Sequence, residues 1–221
     1  MDINTKKLKK NAFRITKTRG ITASRVRVPG GHLKAEYLGL IQEIADTYGN
    51  GFDVENYKGR EVVIVAGGTG LSPVKGIVDY FSKNPQDATS TRVIAGFKSP
   101  KDMLFKEDMK EWEKNINFTL TVDSAEEGYE GNVGLVTKYI PELKFEDMDT
   151  AQVIVVGPPM MMKFTVAEFL KLGMKEENIW ISHERKMCCG LGKCGHCRID
   201  DTYVCLDGPV FNYSKGKLLR D

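Results

Sequence analysis

The chain has 221 residues, 41% of them apolar and 28% charged, with a formal net charge of +2. This is the composition of an ordinary soluble globular protein, and no apolar run approaches the roughly 18–20 residues that span a bilayer. The basic N-terminus has no apolar core of the kind a secretory signal needs, so the cytoplasm is the expected compartment.

Charge is spread unevenly. Residues 1–40 hold ten Lys and Arg against Asp2 and Glu36, which leaves the rest of the chain net acidic. A basic head on an acidic body implies two pieces with different partners. Nucleic acid is a poor fit for the head, because only Phe13 interleaves aromatic character with its charges.

In chain order, residues 1–52 form the first piece. Thr22 to Pro29 reads as a strand with Arg25 and Arg27 on one face and Val26 and Val28 on the other. Pro29-Gly30-Gly31 turns the chain. From Leu33, apolar positions 33, 37, 40, 41, 44 and 48 keep helical spacing, and Gly49-Asn50-Gly51 ends the helix. One strand and one helix cannot bury a core alone.

Residues 53–183 form the second piece. Strands are expected over Glu61 to Gly67, Arg92 to Phe97, Phe118 to Val122, Val153 to Gly157 and Ile179 to Ser182. Helices are expected over Pro73 to Lys83, residues 103–115, Val133 to Ile140 and residues 160–172. Continuous apolar strands alternating with helices predict an α/β fold with a doubly wound, five-stranded parallel sheet. Such sheets bind ligands at the carboxyl ends of their strands. The first strand ends in Gly67-Gly68-Thr69-Gly70-Leu71-Ser72-Pro73. There glycines permit close approach of a pyrophosphate, and Ser72 and Pro73 suit the start of a helix whose dipole attracts it. Met160, Met161 and Met162 read as core and helix-start residues.

Residues 184–221 form a third, small piece. All five cysteines of the chain fall here, and from Cys189 the pattern is C-x4-C-x2-C, with seven residues between Cys197 and Cys205. Four thiolates at this spacing, Cys189, Cys194, Cys197 and Cys205, form the ligand set of a plant-type 2Fe–2S cluster. A four-cysteine zinc site is the rival, although it usually pairs two C-x2-C knuckles and only one is present. Cys188 is the cysteine left over.

The runs Glu184-Arg185-Lys186-Met187-Cys188-Cys189-Gly190 and Cys205-Leu206-Asp207-Gly208-Pro209-Val210-Phe211 resemble the cluster domain of a ferredoxin-NADP reductase-like subfamily. That subfamily includes the electron-transfer subunits of dihydroorotate dehydrogenase, the gamma-type subunits of hydrogenases and the electron-transfer subunit of anaerobic sulfite reductase. The strongest resemblance, over residues 48–221, is to the last of these. Within the nucleotide domain, A-G-G-T-G-L-S-P, Gly96-Phe97-Lys98, Thr121-Val122-Asp123 and Gly157-Pro158-Pro159-Met160 follow the order of the same superfamily. The resemblance implies cofactor-binding roles for Gly67, Gly68, Thr69, Gly70, Ser72, Pro73, Gly96, Asp123, Gly157, Pro158 and Pro159. Where much of the superfamily has Cys-Gly-Pro, this chain has Val156. Asp123, Glu126, Glu127 and Glu130 oppose a 2′-phosphate and Lys98 is the only basic residue nearby, so NAD(H) is expected over NADP(H).

The implied function is passage of electrons from NAD(P)H, through FAD and a 2Fe–2S cluster, to a sirohaem sulfite reductase catalytic subunit, alongside a further iron–sulfur subunit. The alternatives are an electron-transfer subunit of dihydroorotate dehydrogenase or a hydrogenase, or a chimera without complete activity. FAD belongs to the resembled family. Its Arg-x-Tyr-Ser/Thr motif is absent here, which argues against a flavin site in this chain. The head Thr18-Arg19-Gly20-Ile21-Thr22-Ala23-Ser24-Arg25-Val26-Arg27-Val28-Pro29-Gly30-Gly31 is similar instead to the start of the sirohaem catalytic subunit of anaerobic sulfite reductase, part of its ferredoxin-like half-domain. A junction at Tyr48-Gly49-Asn50-Gly51 reads as a chimeric join or a genuine fusion.

Overall fold

The computed structural model describes residues 16–18, 21–23, 49–125 and 127–219. In the head, β1 (Thr16–Thr18) pairs antiparallel with β2 (Ile21–Ala23). Of the strand expected over Thr22 to Pro29 only Thr22 and Ala23 are described, and the helix expected from Leu33 lies outside the described residues.

The main sheet is built on β3 (Glu61–Gly67), β4 (Ser90–Phe97), β5 (Asn117–Val122), β7 (Gln152–Val156) and β8 (Ile179–Ser182). The five expected strands are all present. The sheet has seven, however, because β6 (Asn132–Val133) and β11 (Val210–Asn212) extend its two edges. Its order is β11-β8-β7-β3-β4-β5-β6, all parallel except the antiparallel edge strand β11.

Both faces are covered, as the unbroken apolar runs require. Successive side chains point to opposite faces. Val62, Ile64 and Ala66 therefore pack against Leu71, Val74, Ile77 and Phe81 of α1 (Leu71–Lys83) and Met109 and Trp112 of α2 (Lys106–Trp112). Val63 and Val65 face the other way, against Val166 and Phe169 of α3 (Pro159–Lys171). Each large side chain buried in this way contributes about 1.5–3 kcal/mol. The end of the sheet away from the strand carboxyl ends is fastened by Glu61. Its carboxylate accepts from Arg92 Nη2 at 2.9 Å and from the backbone N–H groups of Glu146 (2.8 Å) and Asp147 (3.1 Å).

Two expectations are corrected. The helix expected over residues 103–115 is confined to Lys106–Trp112. Val133 to Ile140 is no α-helix: Asn132–Val133 joins the sheet, and a 3-10 turn spans Val136–Tyr139. The Thr121 hydroxyl donates to the Gly134 carbonyl at 2.7 Å and draws this segment onto β5. Val136 then fills the space left by the missing side chain of Gly96. Apolar residues at 133, 136 and 140 are thus spaced for a helix but held by tertiary contacts.

The C-terminal piece adds the edge strand β11 to the main sheet. β9 (Arg198–Ile199) and β10 (Thr202–Tyr203) form a small hairpin. A one-turn helix, α4 (Val204–Asp207), follows, and β11 then pairs Phe211 with Ile181 of β8 before α5 (Tyr213–Gly216). Among the described residues no helix is long and apolar enough to cross a membrane.

Candidate functional site

The chain leaves β3 for β4 on one side and returns to place β7 on the other. The strand order therefore reverses between β3 and β7, where doubly wound sheets open a crevice for ligands. The strand ends are level there: Gly67 pairs with Gly96, Ala66 with Val156 and Phe97 with Val122. Gly67, Gly68, Thr69 and Gly70 stand at the end of β3, and Gly157, Pro158 and Pro159 follow the end of β7. Gly68–Gly70 is a 3-10 turn leading straight into α1.

The start of α1 differs from expectation. The cap is Gly70, with no side-chain cap hydrogen bond, and Ser72 and Pro73 fall inside the first turn. That turn has no capping side chain, and the helix dipole adds positive potential at its start. Gly70 is buried, and a Cβ there would overlap the Val156 carbonyl, its carbon 2.8 Å and Gly157 Cα 2.9 Å away. Gly70 thus serves close packing of α1 on the end of β7. Gly70→Ala should cost about 1–3 kcal/mol by overpacking, measured as a lower denaturation midpoint.

Met161 reaches from α3 to the same place. A Cβ on Gly157 would lie 2.8 Å from its Cε and 3.0 Å from its Sδ. Met161 and Met162 pack on the core as expected, whereas Met160 is 59% exposed. Val156 is buried in the core. Gly96 is also buried, under Val136, so its lack of a side chain is used for packing. Asp123 is exposed beyond β5, its N–H donating to the Phe97 carbonyl at 2.9 Å, with exposed Lys98, Glu127 and Glu130 on the same loops.

Four of the cysteines come together where the segment after β8, carrying Cys189, Cys194 and Cys197, meets α4, which carries Cys205. Cys194 Sγ lies against Cys189 Sγ, and Cys197 Sγ against Cys205 Sγ. Cys197 and Cys205 are each 1% exposed and share a small core with Ile199, Val204 and Phe211, while Cys194 is exposed. Neither pair includes the half-buried Cys188. Positive φ at Gly190 (69°), Gly192 (65°) and Gly195 (75°) turns the backbone around the sulfurs. The Leu191 N–H donates to Cys189 Sγ and the Gly192 N–H to Cys205 Sγ, both at 3.3 Å. The His196 amide, with the Cys189 thiol behind it, lowers the Cys194 pKa to about 7. Burial, then the Cys197 thiol, raises that of Cys205 to about 11. Among the described residues no three His, Cys, Asp or Glu are grouped to hold a single metal ion.

Two stretches of the chain match known families. Residues 64–167 match the oxidoreductase NAD-binding domain family, and residues 184–215 match the iron–sulfur cluster binding domain of dihydroorotate dehydrogenase B. The chain carries a ferredoxin-reductase-like NAD-binding domain followed by an iron–sulfur binding domain.

It is 31% identical over 193 residues to sulfhydrogenase 2 subunit gamma of Pyrococcus furiosus, covering 79% of this chain and 66% of that one. It is 33% identical over 174 residues to the dihydroorotate dehydrogenase B electron-transfer subunit of Clostridium perfringens, covering 77% of this chain and 64% of that one. The chain thus spans slightly less than two thirds of the length of these relatives. The fold is shared with an NADH-dependent reduced ferredoxin-NADP oxidoreductase, at a TM-score of 0.60 and 24% identity over 95% of this chain and 80% of that one. The two sequence relatives are hydrogenase and dihydroorotate dehydrogenase subunits, and they favour that reading over the sulfite reductase expected from the motifs.

One residue at the site escaped sequence reasoning. Asn50, read there as part of a helix stop, is hydrogen-bonded to the backbone that follows Cys205. Its only signal in the sequence is an asparagine between two glycines, which marks any turn.

Proposed function

We propose that this chain is the reductase module of a multi-subunit oxidoreductase. It takes electrons from a nicotinamide dinucleotide at the β3–β7 crevice and passes them through a 2Fe–2S centre to a partner subunit. The observation carrying this reading is the convergence of four thiols, in which Cys189 meets Cys194, Cys197 meets Cys205, and Cys189 also acts on Cys205. Two pairs suit a cluster of two irons with four cysteine ligands. One tetrahedral zinc would need all four sulfurs at about 2.3 Å from a single point. A 2Fe–2S cluster held here would accept electrons one at a time. The Leu191 and Gly192 amides, already aimed at sulfur, would stabilise negative charge on it.

The nucleotide reading rests on the glycine-rich turn Gly67–Gly70 and the uncapped start of α1, whose dipole would attract the pyrophosphate. Asp123, Glu127 and Glu130 would repel a 2′-phosphate, so NADH should bind more tightly than NADPH by calorimetry. Equal affinities would mean that these carboxylates do not face the ribose. Splitting a hydride pair into single electrons needs a group such as a flavin. Without an Arg-x-Tyr-Ser/Thr motif in the sequence, we assign FAD to a site outside residues 49–219.

For the acceptor, the sequence relatives favour a hydrogenase or a dihydroorotate dehydrogenase. A sirohaem sulfite reductase remains the second reading, carried by the run Cys188-Cys189-Gly190-Leu191-Gly192-Lys193-Cys194-Gly195-His196-Cys197. Thiolate ligands for iron suit a reducing compartment, hence the cytoplasm.

Anaerobic protein mixed with NADH and a catalytic amount of free FAD tests the reading. The visible charge-transfer band should bleach with NADH as it does with dithionite. A band that dithionite bleaches and NADH plus FAD leaves intact contradicts the electron path. Metal removal offers a second check. Stripped by a chelator, the loop over residues 187–206 should become protease-sensitive, since its small core cannot hold it. β11 should stay protected by its pairing with β8.

A further inference from the structure

We propose that Asn50 is a positioning residue for the iron–sulfur centre, capping from outside the backbone that carries Cys205. The inference rests on Cys189, Cys194, Cys197 and Cys205 being the cluster ligands. α4 has a single turn and cannot satisfy the carbonyls at its end. Four consecutive carbonyls follow Cys205 and Leu206, those of Asp207, Gly208, Pro209 and Val210, and each finds a donor. Asn50 Nδ2 donates to Asp207 O at 2.9 Å and to Val210 O at 3.0 Å, and the Asn50 N–H donates to Gly208 O at 2.6 Å. The fourth donor is the His183 N–H, 2.9 Å from Pro209 O. In return the Val210 N–H donates to Asn50 Oδ1 at 3.1 Å.

Asparagine suits this position because its amide supplies two donors and an acceptor on a short stem. The approach is equally tight in the backbone. Gly49 has φ +74°, and a Cβ there would lie 2.9 Å from the Gly208 carbonyl carbon and 3.1 Å from Pro209 Cδ. From the clasp the contacts run inward. Gly208 is buried against the Phe211 ring and Val204, and both of these pack with Cys197 and Cys205. The segment entering the nucleotide domain and the loop holding the fourth thiol are therefore one packed unit. Cluster occupancy and docking of Gly49–Gly51 should stabilise each other by the same factor.

The test compares apo and reconstituted wild-type protein with two variants. In the wild type, the Asn50 and Val210 amides should exchange hydrogen more slowly with the cluster in place. Asn50→Ala should release iron to a chelator about tenfold faster, from the loss of its side-chain hydrogen bonds, and change the EPR line shape of the reduced cluster. Asn50→Asp keeps the shape and turns two donations into carboxylate–carbonyl repulsion, so it should also release iron faster than wild type. Should Asn50→Ala fail to fold, the wild-type exchange comparison decides. Iron-replete protein with equal Asn50 exchange in both forms, or variants with wild-type release and spectrum, overturns the inference alone. Wild type that takes up no iron overturns the cluster reading, and the inference with it.

Discussion

Cys205→Ser is expected to strip the protein of its cluster while leaving the nucleotide domain folded. The Cys205 thiol is 1% exposed, faces Cys197 and accepts from the Gly192 amide at 3.3 Å. A serine oxygen in its place is a shorter, harder ligand in a position set by packing. Iron should fall from about two per chain to near none. The β3–β8 core shares no residue with the small core around Cys205, so NADH affinity should persist, and it serves as the control. Cys194→Ser, at the exposed end of the loop, should lose the cluster too. Cys188→Ser should keep it, because the Cys188 thiol belongs to neither pair. Iron and sulfide analysis beside calorimetric NADH binding checks all three. A Cys205→Ser protein with full iron and an unchanged spectrum would remove this residue from the ligand set.

The second large effect concerns the crevice. Gly70 is a poor place to add charge, because its burial against Val156 and Gly157 would mix misfolding with lost affinity. Thr69 is exposed on the same turn between β3 and α1. Thr69→Glu places a carboxylate on the turn that we assign to the pyrophosphate. Like charges brought together at a binding site cost several kcal/mol, roughly a hundredfold or more in affinity. The denaturation midpoint should move little, since surface changes usually stay within about 0.5 kcal/mol. Wild-type NADH affinity in Thr69→Glu would place the dinucleotide elsewhere.

Regular elements buried on both faces were the legible part of this fold. β3 and β8 match the sequence reading residue for residue, because Glu61 to Gly67 and Ile179 to Ser182 are short runs bounded by turn residues. The spacing of the cysteines singled out Cys189, Cys194, Cys197 and Cys205 as the proposed ligand set, and the thiols of these four converge. What escaped was non-local. Val133 to Ile140 carries a helical spacing that Thr121 and Gly96 override from neighbouring strands. β11 has three residues, too few for a pattern, and exists because β8 offers an edge. Asn50 and Val210 are 160 residues apart, and nothing in either local sequence announces the other. Gly70 and Gly96 read as cofactor glycines, whereas each also carries a packing role that only the neighbouring strand reveals.

The central claim is a two-iron cluster on the chain that binds the dinucleotide. EPR of anaerobically purified, dithionite-reduced protein, with iron, sulfide and zinc measured on the same sample, tests it most directly. The account predicts equal iron and sulfide, little zinc, and a half-integer-spin signal whose spin count is half the iron content. Stoichiometric zinc with no such signal, in protein made with ample iron, would contradict it.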